Sequence, residues 1–206
     1  GALRRELAAS LRTGRALRKP RRKQGERRGK IPAMVNISER PAEAADRAVP
    51  GHWEGDLLAG AAGRSAIGTL VERATRFTLL VPLPAGRDAA AVADALTPVI
   101  AGLPDAVRRS LTWDQGWEMR AHARIAVAAD CEIFFCDPHA PWQRGSNENT
   151  NGLLRQYFPK GTSLAGHSPA DLAAVADELN GRPRKTLGWK TPAEALAEIL
   201  DRDAAA

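Results

Sequence analysis

From residue 52 onward the apolar positions fall first into short alternating runs and then into helical ones. HWEGDLLA (52–59), SAIGTLVER (65–73) and RFTLLVPL (76–83) each read as a strand. The gaps between them are short and turn-like, so the three predict an antiparallel meander. DAAAVADALTPVIAGL (88–103) has helical spacing and is expected to be interrupted or to end near Pro98, which lacks a backbone donor. LTWD (111–114) predicts a short strand, EMRAHARIAVAAD (118–130) a helix and EIFFC (132–136) a further strand. The order βββ-α-β-α-β joins antiparallel hairpins to βαβ units. It predicts an α/β fold with one mixed five-stranded sheet and helices packed on it.

Two later segments, Ser168-Pro169-Ala170-Asp171 and Thr191-Pro192-Ala193-Glu194, each combine a cap residue, a proline at the first helical position and an acid two residues on. They predict helices over about 169–180 and 192–201. The stretch between, GRPRKTLGWK, is basic and turn-rich. At the start, Leu3, Leu7 and Leu11 are four apart and suit one short amphipathic helix, while residues 18–30 lack periodicity and are broken by Pro20, Gly25 and Gly29. This predicts a basic arm and linker over 1–49, a core over 50–180, and a basic turn and helix over 181–206.

Charge sharpens that division. The net charge of +6 is unevenly spread: residues 1–40 hold 13 Lys/Arg against 3 Asp/Glu, and the rest hold 17 basic against 21 acidic residues. A basic arm of this kind suits phosphate binding and makes nucleic acid the expected partner, although a solvated linker has the same composition. No apolar run approaches the roughly 18–20 residues of a membrane helix, and the charged first residues do not form a secretory signal. Cys131 and Cys136 are expected to be buried free thiols in a reducing cytoplasm. With His139 they have the wrong number and spacing for a closed zinc site.

Three acids stand out. Alternation puts His52, Glu54, Asp56 and Leu58 on one face of a strand, where a carboxylate needs a partner or a cation. Asp114 ends a strand ahead of Gln115-Gly116, a good position for a site; a turn Asp would look the same. Ser146 is a plausible N-cap, which puts Glu148 in a first helical turn with Asn151, Gly152 and Arg155 on its face and Leu153, Leu154, Tyr157 and Phe158 opposite. A dipole-complementing Glu is the alternative reading there. Three carboxylates of this kind can hold two divalent cations, with oxygen donors selecting Mg²⁺ or Mn²⁺.

The motifs around these acids are ordered. CDPHAPWQRGSNENTNGLLRQYFPKGT (136–162) resembles the catalytic-Glu segment of bacterial insertion-sequence transposases of the IS-thirty type, which share the retroviral-integrase core. GHWEGDL (51–57) is similar to that family's first-Asp motif, SAIGTLVER (65–73) to its next strand, LTWDQG (111–116) to its second-Asp motif, and NGRPRKTLGWKTPAEAL (180–196) to the segment after the core. The resemblance implies a ribonuclease H-like fold. It implies Asp56, Asp114 and Glu148 as catalytic metal ligands for two Mg²⁺ or Mn²⁺ ions, and DNA strand cleavage followed by transfer of the 3′-hydroxyl. It further implies action on element ends and target DNA as a homo-oligomer in the bacterial cytoplasm at the nucleoid, with no membrane and no small-molecule substrate. An end-reading helix-turn-helix region is expected ahead of these residues. Trp117, where the family usually has Lys, and the loop Ala59-Gly60-Ala61-Ala62-Gly63, where it tends to be basic, depart from the pattern. A catalytically weak, DNA-binding core is therefore the alternative, and a ribonuclease acting on hybrids ranks behind it.

Arg144, Arg155 and Lys160 are candidate phosphate contacts, with Asn147 and Asn151 beside them on the same helix. His139 and Trp142 lie in a Pro-bounded loop and can meet an unpaired base, although Trp142 packed on the sheet is an equal alternative. Glu118 and Asp137 are spare carboxylates, Glu72 and Arg73 suit a cross-strand pair, and Trp53 and Trp113 are expected in the core.

Overall fold

In the computed structural model, residues 31–205 are described; the predicted helix at 3–12 and the basic linker at 18–30 lie outside them. Strands form where the alternation predicts them, at β2 (His52–Ala59), β3 (Ala66–Glu72), β4 (Thr78–Pro82), β5 (Ser110–Trp113) and β6 (Glu132–Phe135), and a further short strand, β1 (Val35–Asn36), precedes them. They make one sheet in the order β1-β6-β5-β2-β3-β4. β2, β3 and β4 pair antiparallel, and β2, β5, β6 and β1 pair parallel. The sheet therefore has six strands, not five. The extra strand is the two-residue β1, and two residues are too few to show a period of their own.

The helices are α1 (Glu43–Asp46), α2 (Ala89–Ala101), α3 (His122–Ala129), α4 (Gly145–Leu154), α5 (Pro169–Asn180) and α6 (Pro192–Ala204). Asp88 caps α2, its carboxylate accepting the N–H groups of Ala90 and Ala91 at 3.0 Å each. α2 runs through Pro98 and ends three residues later, at Ala101. The proline lies in the last turn, where it removes one internal bond near the end of the helix. α3 begins at His122, after a 3₁₀ turn at Trp117–Met119, so the helix expected from Glu118 starts later. Both predicted capping boxes form, Ser168 with Asp171 on α5 and Thr191 with Glu194 on α6. Residues 31–49, expected in the arm, belong to the compact unit: Ile31 and Ala44 are buried and β1 pairs with β6.

The period of two in the strands sorts side chains into two cores. On one face Trp53, Leu70, Leu111, Trp113, Ile133 and Phe135 pack with Val92, Leu96 and Ile100 of α2 and Ile125 of α3. On the other Leu58 and Ile67 pack with Leu154 of α4, Phe158, and Leu172 and Leu179 of α5. Trp53 and Trp113 are core residues, as expected. Among the described residues no helix is long and apolar enough to cross a membrane.

Gly55 in the middle of β2 has no room for a side chain: a Cβ there would lie 2.1 Å from the Trp113 ring. Trp113 is fully buried and cannot retreat. Gly55→Ala should therefore destabilise the fold by roughly 1–3 kcal/mol, the usual range for overpacking, read as a lower midpoint in urea denaturation.

Candidate active site

The site is built where α4 crosses the middle of β2. Glu54, Asp56 and Leu58 of β2 meet α4, and Glu54 is completely buried. Its carboxylate accepts the Asn147 N–H at 2.9 Å and stands 3.2 Å from Nε of buried Arg73. The Asn147 side chain in turn donates to the backbone oxygens of Glu54 at 2.9 Å and of Thr69 on β3 at 3.2 Å. A charge buried here is tolerable only because a cation and donors meet it. The result fixes the first turn of α4 to two central strands, and Glu148 follows on the exposed side of that turn.

Arg144 closes the other side. It is 6 % exposed and donates to the Gly55 oxygen at 2.7 Å. Nη1 lies 3.3 Å from Oδ2 of Asp56, and Nη2 lies 3.4 Å from Oδ2 of Asp114. Asp56 also accepts its neighbour's N–H, from Leu57 at 2.8 Å, and Nδ2 of Asn151 at 3.1 Å. Asp114 accepts the Gly116 N–H at 2.9 Å. Burial raises the Asp56 pKa more than Arg144 lowers it, and Asp114 adds repulsion. Burial acts to lower the Arg144 pKa, but the pull of Asp56 and Asp114 leaves it raised. The two shifts read the pair differently because Arg144 meets two carboxylates, whereas Asp56 meets one guanidinium and one like charge.

Two clefts flank this pair. Asp56, Glu148, Asn151, Gly152, Arg155 and Lys160 line one of about 390 Å³. Asp114, His139 and Arg144 line the other, of about 370 Å³. The structure thus joins Asp56 to Asp114 through Arg144 and Asp56 to Glu148 through a shared cleft. Among the described residues no three metal-ligating side chains stand close enough together to hold an ion. The donor set nevertheless fits a hard divalent cation: two carboxylates already converge on one positive group, and a third faces the adjoining cleft. Soft-metal chemistry is disfavoured, since burial pushes the Cys131 and Cys136 thiols up to about 12 and about 11.

Several expectations change. Ser146 is not the N-cap; α4 starts at Gly145 after a 3₁₀ turn, and the Ser146 hydroxyl accepts from Arg76. Arg144 and Asn147 are buried in these networks and are not free phosphate contacts. Asn151 orients Asp56, and Arg155 donates to the oxygens of Ala59 and Phe158. Lys160, His139 and Trp142 are exposed; Trp142, at 74 %, does not pack on the sheet. Arg73 pairs with Glu54, while Glu72 accepts the N–H groups of Gly51 and Thr75. Glu118 reaches the Trp113 indole at 3.4 Å, and Asp137 bonds Asn36 and Gln143. Sequence reasoning missed Glu54 and the roles of Arg144 and Asn147. The signal for Glu54 was its place two residues before Asp56 on the same strand face.

The integrase core domain family matches residues 46–141, which include Asp56 and Asp114 and end before Glu148. The chain is similar to the transposase for insertion sequence element IS1086 of Cupriavidus metallidurans, 54% identical over 200 residues, covering 97% of this chain and 59% of that protein. It is also similar to transposase InsI of element IS30A of Escherichia coli, 49% identical over 191 residues, covering 90% of this chain and 49% of that protein. The domain match and these identities support an insertion-sequence transposase with an integrase core. The transposase for element IS4351 of Bacteroides fragilis is 35% identical over 205 residues, 95% of this chain and 62% of that protein. The chain spans about half to three-fifths of the length of these relatives. The domain match agrees with the ribonuclease H-like sheet, and integrase core proteins typically use divalent metals.

Two outcomes test this integrase core. Glu54→Gln removes the charge facing buried Arg73 and should destabilise by about 3 kcal/mol or more, the usual cost of stranding a buried charge, measured by denaturant titration. Because the Asp56 pKa is raised on folding, its ionisation opposes folding at neutral pH. Asp56→Asn should raise the melting temperature at pH 7, and the gain should disappear below about pH 4, where the acid is protonated in both states. A lower melting temperature at pH 7 would show that the Arg144 pair outweighs burial.

Proposed function

We propose that this chain is the catalytic core of a DDE transposase, cutting and rejoining DNA strands with Mg²⁺ or Mn²⁺. The observation that carries this reading is the convergence of Asp56 and Asp114 on one cationic group at 3.3 and 3.4 Å, beside a cleft that Glu148 lines. Asp56, Asp114 and Glu148 would hold the two ions. When bound, such ions neutralise phosphoryl charge and make a water or 3′-hydroxyl a better nucleophile.

The chain's own residues set the stage for that chemistry. Asn151 holds Oδ2 of Asp56, the oxygen that Arg144 also meets, while the Leu57 N–H holds Oδ1, so the carboxylate is oriented from both sides. Arg144 keeps the Asp56 and Asp114 carboxylates near each other despite their repulsion. Lys160 and His139, exposed at the two clefts, would meet DNA phosphates, and Trp142 would stack on a base. Trp117 instead of a lysine contributes no charge, but Arg120 lies 4.6 Å over its ring and supplies one nearby. The Ala61–Gly63 loop is pinned by the Ala61 N–H to the Thr162 oxygen at 2.7 Å. The substrate would be element-end and target DNA, handled by a homo-oligomer at the nucleoid in the cytoplasm.

With Mg²⁺ or Mn²⁺ the chain should nick supercoiled DNA, and Asp114→Asn should lower the rate roughly a hundredfold or more if metal is lost. Nicking that is equal in both proteins, or that persists in a chelator, would overturn the reading.

A further inference from the structure

The face of α4 opposite Glu148 carries a second feature. At 100° per residue, Ser146, Asn149 and Thr150 lie roughly across the helix from Glu148, Asn151 and Arg155. They line a pocket of about 390 Å³ together with Arg47, Arg76 and Arg184, and no acidic side chain lines it. Three arginines around one hollow without a carboxylate is unlike an ordinary surface, where charges of both signs alternate. Among the described residues none of the three is ion-paired.

Each arginine comes from a different part of the chain. Arg47 follows α1, Arg76 lies in the β3–β4 turn, and Arg184 lies in the basic turn between α5 and α6. Two are held in place: Arg76 donates to the Ser146 hydroxyl, and Arg184 donates to the Leu179 oxygen at 3.3 Å. The Arg184 turn is closed by the Trp189 N–H bonding the Arg184 oxygen at 2.9 Å and the Arg184 N–H bonding Lys190. Ser146 and Thr150 are almost fully buried and make the floor. Burial, then Arg47, lowers the Arg76 pKa, and burial, then Arg182, lowers that of Arg184. An anion in the pocket would relieve both. The pocket also opens at the first turn of a ten-residue helix that has no side-chain cap, so the helix dipole has the same sign as the arginines.

We propose that Arg47, Arg76 and Arg184 form a phosphodiester-binding pocket that grips the DNA backbone outside the catalytic cleft. This rests on the chain acting on DNA, and it gives α4 two roles. One face presents Glu148 to the scissile strand, and the other holds a phosphate on the far side of a helix about 10 Å across. It also accounts for the basic turn at 181–190, which the catalytic site does not use.

The test is fluorescence anisotropy of a labelled duplex with the whole chain in EDTA, repeated over a series of salt concentrations. Chelation takes the metal chemistry out of the measurement. Arg47→Gln and Arg184→Gln should each weaken binding about three- to tenfold and reduce the slope of log K against log salt by about 0.9, the loss expected for one phosphate contact. Asn149→Asp, at an exposed position, should weaken binding further by placing an anion at the rim. Arg124→Gln, an exposed arginine paired with Asp94 on the α2–α3 side, should leave both quantities unchanged. Melting temperatures of all variants identify any that are misfolded. Wild-type affinity and slope in all three pocket variants would overturn the pocket, as would an equal loss in Arg124→Gln. A wild-type chain that binds no duplex would overturn the DNA reading itself.

Discussion

The contact between Glu54 and Asn147 holds the site together. A fully buried carboxylate on the central strand receives the first turn of α4, and the Asn147 side chain returns two bonds to the backbones of β2 and β3. Further along, α4 is held by Asn151 to Asp56, by Ser146 to Arg76, and by Leu154 and the apolar residues that follow it. Apolar packing tolerates sliding; hydrogen bonds to a buried charge do not. The exposed Glu148 therefore owes its position to a neighbour that never sees solvent.

Arg144 extends the same logic to the two aspartates. Asp56 belongs to β2 and Asp114 follows β5, which are parallel neighbours with Trp53 opposite Leu111. That pairing carries both carboxylates towards the same end of the sheet, where they would repel each other. A guanidinium between them, itself buried and bonded to the Gly55 oxygen, offsets the repulsion. The Asp56 pKa stays raised because burial, more than Asp114, works against the charged form. An acid held at a cost to folding, as Asp56 is, is a common mark of a functional site.

Much of this was legible in the chain itself. Period-two alternation located β2 through β6, and the Ser168 and Thr191 boxes located α5 and α6, because caps and strand faces are local properties. The two-residue β1 was not legible, since its pairing with β6 depends on a partner 99 residues away in the register Val35–Phe134. At the site, the ordered motifs indicated Asp56, Asp114 and Glu148 together, whereas residue type alone could not separate them from turn and cap acids. The sequence misassigned Arg144 and Asn147, because a basic or amide residue beside a catalytic acid looks the same whether it faces DNA or the core. Only burial distinguishes the two.

The central claim is that Asp56, Asp114 and Glu148 form one metal site whose aspartates Arg144 holds together when no ion is bound. A crystal structure with Mn²⁺, read from its anomalous scattering, addresses that claim most directly. The account predicts Mn²⁺ bounded by oxygens of Asp56, Asp114 and Glu148, with the Arg144 guanidinium drawn away from at least one aspartate. Mn²⁺ absent from this place, or bound elsewhere while both Arg144 contacts stay intact, would contradict it.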